Sequence, residues 1–179
     1  TTTNDNVAVG FVAGRRITGE RNVALGSYAL DYGYVVNDSV AIGYQSAQYA
    51  IGSYNTFVGT NAGYGGTTSA PYSSGQYNVA LGAYAFDSFT TGDDNCIIGR
   101  SAGHQISSGD YNVCLGTMAG DTLTTGTNNT YLGYHADASA NSVTNEIVLA
   151  ASDSQLGGAG TETIRIGRAS DFITNDFGE

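Results

Sequence analysis

The 179-residue chain contains no tryptophan, no lysine, one proline (Pro71) and two cysteines (Cys96 and Cys114). Charged residues make up only 12 % of it, so an ordinary charged globular surface is not expected. All six cations are arginines, at 15, 16, 21, 100, 165 and 168, and they face sixteen acids for a net charge of −10. A surface of that sign repels phosphate backbones and anionic lipid, which argues against nucleic acid as a partner. No run of 18 apolar residues exists, so no membrane-inserted helix is expected. Thr1-Thr2-Thr3-Asn4 lacks a basic region followed by an apolar stretch, so no signal peptide is expected there. The two cysteines have no metal-type spacing and carry no information about redox compartment.

What is abundant is glycine, at 26 residues, and tyrosine, at 13. Glycine without proline excludes a collagen-like or polyproline chain. The glycines are periodic. The word Asn-x-x-apolar-Gly recurs at Asn22–Gly26, Asn55–Gly59, Asn78–Gly82 and Asn112–Gly116. Its closing glycines fall at 10, 26, 43, 59, 82, 99, 116 and 133, and degenerate copies end at Ala150 and Gly167. The period is 16–17 residues except for one step of 23, which holds a six-residue insertion. Seventeen residues are too few for a helical hairpin and suit one coil of a β-solenoid. The fold class expected is all-β: a parallel β-roll of about ten 16–17-residue coils. At ~4.8 Å per coil, that is a rod on the order of 50 Å long. Residues 1–150 form the roll, with a loop inserted at 64–75. Residues 151–179 form a degenerate last coil and a C-terminal transition segment.

Alternation along a strand assigns faces. The first and third positions after the Asn form uniform ladders, such as Val23, Val40, Val79 and Val113 beside Leu25, Ile42, Leu81 and Leu115. They are expected inside the coil. The second position, with Ala24, Ala41, Ala80, Ile97 and Cys114, then points outward. An outward column that stays apolar needs a cover, and another copy of the chain is the expected one, so these five residues are candidates for an intersubunit interface. On the same reasoning Cys96 is a core residue, Cys114 an interface residue, and a disulfide between them is excluded. The Asn column is expected to be structural, with amides hydrogen-bonded along the axis and with Asn and Gly taking the positive φ of tight corners.

The segment Asp38-Ser39-Val40-Ala41-Ile42-Gly43-Tyr44-Gln45-Ser46-Ala47 resembles the head repeat of the YadA-type trimeric autotransporter adhesins. That repeat is an Asn-Ser-Val-Ala-Ile-Gly word followed by a small residue three places on. The resemblance covers about residues 4 to 170 and implies left-handed parallel β-rolls packed as a homotrimer. The adhesin repeats are a few residues shorter, so the outer turn is expected to differ. Ser108-Gly109-Asp110-Tyr111-Asn112-Val113-Cys114-Leu115-Gly116, followed by Ala119-Gly120, resembles repeats of bacteriophage tail fibres. The segments Glu162–Gly167 and Asp171–Glu179 are similar to the stretch that precedes an endosialidase-type intramolecular chaperone in such fibres. That resemblance implies a virion-tail location, a partnership with two further copies, and a structural and host-attachment role. A bacterial cell-surface adhesin head and a non-catalytic spacer of a polysaccharide-degrading spike are the alternatives. Neither resemblance supplies catalytic residues or a cofactor, and no enzyme is expected.

Four constellations invite a chemical reading. Gly99-Arg100-Ser101-Ala102-Gly103 matches the G-x-S-x-G nucleophile elbow, but sister coils read Gly59-Thr60-Asn61-Ala62-Gly63 and Gly116-Thr117-Met118-Ala119-Gly120 in the same slot, so it is expected to be a repeat corner. Asp87, His104 and Asp121 lie 17 apart and should form one axial column, a weak metal-site candidate against a solvated corner. Asp93, Asp94 and Asp110 form a second acidic group, without the spacing of a calcium loop. The insertion is rich in Tyr, Ser and Gly, a composition suited to adaptable contacts. Tyr64, Tyr72 and Gln76 are its candidate receptor contacts, for a cell-surface glycan or protein. The acidic total charge points to a neutral or cation-bridged receptor.

Overall fold

The structure, a computed structural model, describes residues 5–66, 72–150, 156–157, 160–168 and 171–176. The middle of the insertion (67–71) and parts of the C-terminal segment, including 151–155 and 177–179, lie outside the described residues. The chain is all-β and winds into a β-solenoid of about nine turns. Each Asn word supplies a short strand: β1 (Val7–Val9), β2 (Val23–Leu25), β3 (Val40–Ile42), β4 (Thr56–Val58), β5 (Val79–Leu81), β6 (Cys96–Ile98), β7 (Val113–Leu115) and β8 (Thr130–Leu132). After β9 (Ala136–Asp137), the stack continues with β10 (Ile147–Ala150) and, past β11 (Leu156–Gly157), with β12 (Thr163–Arg168). These ten stacked strands pair in parallel, each with the same word position in the next turn, as in Val79↔Cys96 and Ile147↔Ile164. The degenerate last copy therefore keeps the register. The stack ends where β13 (Asp171–Asp176) pairs antiparallel with β12. Strands β9 and β11 form a separate two-stranded parallel sheet.

The facing of the strands is the reverse of the sequence expectation. In β2 to β5 and β7 the middle residue is buried and both its neighbours are partly exposed. Ala24, Ala41, Ala80, Ile97 and Cys114, expected at an intersubunit interface, are each 0 % exposed inside the coil. The Val/Thr and Leu/Ile ladders on either side point outward. A three-residue strand can turn only one side chain inward when its middle residue faces the axis. The interior is then completed from the turn. Ala85, Ala102 and Ala119 lie three residues after a corner glycine, and Phe89, Ile106 and Leu123 lie seven after it, all fully buried.

Volume is matched between these inner positions, as close packing requires. Where the strand offers Ala80, the turn offers Phe86 and Phe89, whose rings stack at 4.9 Å. Where the strand offers Phe57, the turn offers Gly63, and a Cβ there would meet the Phe57 ring at 2.4 Å. Cys96 is partly exposed and Cys114 buried, so the two thiols do face opposite ways, with the roles exchanged; both are free. Burial pushes the Cys114 thiol well above its ordinary pKa and makes it unreactive.

The Asn ladder forms as expected. Oδ1 of Asn78 accepts from the backbone N–H of Asn95 at 2.9 Å, and the contact repeats from Asn95 to Asn112 at 2.9 Å and from Asn112 to Asn129 at 3.1 Å. Each Nδ2 also donates to a carbonyl 14 residues on, as Asn112 does to Gly126 at 2.9 Å. One buried amide thus satisfies groups in two turns. At the next rung Glu146 replaces Asn, wholly buried, and accepts from the Tyr131 hydroxyl and from the N–H groups of Ser139 and Gly160. The positive φ does not fall on the ladder residue. It falls on the residue before it: Arg21, Tyr54, Tyr77, Asp94 and Tyr111 have φ of 58°, 63°, 59°, 56° and 57°. Such a backbone costs a non-glycine residue about 1–2 kcal/mol, and the bonds on either side hold it in place.

Both described flanks of the 64–75 insertion are tied to neighbouring turns. Tyr64 occupies a regular coil position, with its carbonyl accepting from the Tyr49 N–H at 2.9 Å. Gly66 donates to the Phe89 carbonyl, and Ser73 pairs with Ala50 as an isolated parallel bridge.

Candidate functional site

The described flank of the insertion, Tyr72, packs into a surface cluster with tyrosines of earlier turns. Its ring lies 5.2 Å from Tyr32, 6.0 Å from Tyr49 and 6.2 Å from Tyr34, centroid to centroid. Tyr49 meets Tyr32 at 4.9 Å, stacked, and Tyr64 at 5.1 Å, edge on. The column is extended by a cation, since the Arg16 guanidinium carbon lies 4.3 Å over the Tyr32 ring. Its Nη1 donates to the Tyr34 hydroxyl at 2.8 Å. Beside it, Arg15 makes a two-pronged pair with Asp31, at 2.9 and 3.2 Å, whose carboxylate is buried. Burial raises the Tyr49 hydroxyl pKa, so that hydroxyl stays a donor at neutral pH.

Of the expected contacts, Tyr64 and Tyr72 therefore meet in one cluster, bridged by Tyr49. Gln76 is not part of those ring contacts. It is exposed, and its backbone N–H donates to Asp93 in the next turn at 2.6 Å. Sequence reasoning missed Tyr32, Tyr34, Tyr49 and Arg16. The signal was present, because Arg16, Tyr32 and Tyr49 each stand six residues after a corner glycine. Apart from Tyr72, the cluster thus belongs to the regular coil.

The expected acidic columns also form. His104 Nδ1 lies 2.6 Å from Asp87 Oδ1, one turn away. Asp121 continues the column, with one carboxylate oxygen buried and without a hydrogen bond. Among the described residues no group of three or more His, Cys, Asp or Glu side chains is placed to hold a metal ion. Asp93 and Asp110 have a structural task instead: Asp110 accepts from the Asp93 N–H at 2.9 Å, and Asp93 from that of Gln76. Ser101 sits in a left-handed corner at φ 55°, matching Tyr84 at 60° and Met118 at 58° in neighbouring turns. The G-x-S-x-G match is therefore a repeat corner.

Partial burial and the neighbouring Asp137 charge raise the Asp121 pKa. A carboxyl group whose folded pKa lies above its unfolded value stabilises the fold below the unfolded pKa and loses that contribution as pH rises through the folded one. Asp121→Asn is therefore expected to raise the melting temperature at pH 7. The gain should shrink as pH falls into the ordinary carboxylate range, and paired thermal melts at pH 7 and pH 4 check it.

The third feature is the outer face of the sheet. Two largely apolar columns run along it, one from Val7 (50 % exposed) through Val23, Val40, Val79 and Val113 with Thr56 and Thr130 in the same column, the other through Val9 (62 %), Ile98 (37 %) and Leu132 (45 %).

No protein-family model matches the chain, and no curated protein or solved structure matches it significantly.

Among the described residues no helix is long and apolar enough to cross a membrane.

Proposed function

We propose that the chain is a structural and host-attachment segment of a trimeric phage tail fibre. The observation that carries this reading is the outer face of the sheet. On a rod, an apolar stripe that continues turn after turn fits a partner of the same length and pitch, which a copy of the same chain supplies. The interface is then made by the outward pair of columns, represented by Val79 and Leu81 or Val113 and Leu115, rather than by Ala80 and Cys114. The number three, and the location in a virion tail, rest on the tail-fibre and adhesin resemblance.

The tyrosine cluster is the attachment surface of the proposal. It belongs to the turns, between corner glycine and next strand, and leaves the apolar columns for assembly. Three copies around an axis would add weak contacts by effective concentration. Light scattering should give three times 18.4 kDa, and the trimer should label a panel of bacterial strains. Tyr72→Ala should lower that labelling at least about tenfold, because three-fold avidity multiplies each local loss, with the trimer mass unchanged. A folded monomer at nanomolar concentration, or labelling untouched by Tyr72→Ala, would overturn the reading.

A further inference from the structure

We propose that the tyrosine cluster is a subsite for a sugar acid, a saccharide unit bearing a carboxylate, with Arg16 as its anchor. The inference rests on the attachment reading and departs from the neutral or cation-bridged receptor that the net charge suggests. It starts from the distribution of arginines in a chain of net charge −10. Three of the six lie in the first two turns. Arg15 is paired with Asp31, and Arg21 with Asp38 and Glu20. Among the described residues Arg16 has no carboxylate within ion-pair distance, although acids outnumber cations by sixteen to six.

That cation is also held in a fixed orientation. Its guanidinium carbon lies 4.3 Å over the Tyr32 ring, and Nη1 is tied to the Tyr34 hydroxyl. A guanidinium has five N–H donors, so several remain for a second partner. Its planar fork matches a carboxylate, and ordering it in advance lowers the entropy lost on binding. The surrounding surface suits the rest of a sugar. Half-exposed tyrosine carbon can pack on C–H groups, and phenolic hydroxyls can exchange hydrogen bonds with ring hydroxyls. Tyr72 completes the surface from the insertion, which makes the subsite unique to this stretch of the rod.

An array of uronate-containing, sulfated and neutral oligosaccharides, probed with the fluorescently labelled full chain, tests the proposal. Uronate oligosaccharides should bind, and their methyl esters should bind at least about tenfold more weakly, as expected for loss of one charge-assisted fork. Arg16→Gln should reproduce the loss, with Arg16→Lys intermediate, since lysine keeps the charge without the fork. Arg100→Gln, exposed and several turns away, removes the same charge and should leave binding unchanged. Light scattering and a thermal melt of each variant establish that the fold survives. Absence of uronate binding, equal binding of the esters, preference for sulfated sugars, or binding that survives Arg16→Gln would each overturn the sugar-acid subsite. Failure of the attachment reading is separate: the parent chain would bind uronates on the array and yet label no cells.

Discussion

Gly99→Ala is expected to unfold most of the rod or shift its urea midpoint far down, by about 3–5 kcal/mol. The corner glycines sit at φ near 136°, which is outside even the left-handed helical region and is essentially closed to other residues, at about 1–3 kcal/mol. A second term adds to it. A Cβ on Gly99 would lie 2.3 Å from the carbonyl oxygen of Gly116 in the next turn. The atom in the way is backbone, and it belongs to a stack in which Gly82, Gly99 and Gly116 all make the same approach, at 2.5, 2.3 and 2.5 Å. Relief would have to move a whole turn against its neighbours. Thr117→Ser, one residue beyond the next corner and partly exposed, should cost under about 0.5 kcal/mol, as ordinary surface changes do. Equal midpoints for the two variants would mean that the turns are not stacked at the glycine spacing.

These corners explain why the architecture was legible. A glycine forced by backbone geometry repeats at the coil period, and so does an amide that satisfies groups in two turns. Both leave marks in the sequence that do not depend on side-chain packing. The strands fell on the Asn words for the same reason, and Asn61, Ser101 and Met118 could be recognised as one corner from their sister positions. The facing was misread because residue type was taken as a proxy for burial. Val and Leu ladders look like core, and alanine looks dispensable. Inside a coil closed by 17 residues, however, the strand position often has room only for a small side chain such as Ala80, since Phe86 and Phe89 enter from the turn. Burial by the turn residues was not visible from strand alternation alone. The candidate site was half legible. Tyr72 stood out because the insertion broke the period, whereas Tyr32, Tyr49 and Arg16 were hidden by being regular.

The reversed facing leads to opposite fates for neighbouring substitutions. Ala80→Arg places a cation in the fully buried interior, against Phe57 above and Ile97 below in register. No carboxylate lies in that column, and the buried ring of Phe89 packs on Phe57 and Phe86 in the same interior. Burying an unpaired charge costs several kcal/mol even after relaxation, and overpacking adds about 1–3 kcal/mol. The variant should fail to fold, with the far-ultraviolet strand signal lost. Leu81→Arg changes the very next residue but points outward, where its stem can lie along the ladder and its charge can reach water. The single chain should keep its strand signal and its cooperative melt. In an assembled rod the same cation would sit between apolar columns of two chains, again without a partner, and association should be lost. Light scattering should then report 18.4 kDa for Leu81→Arg and three times that for the parent. If both variants unfold, the outward ladder is part of the core after all. If Leu81→Arg still assembles, the sheet face is not the surface through which copies meet, and the interface has to be sought on the turns.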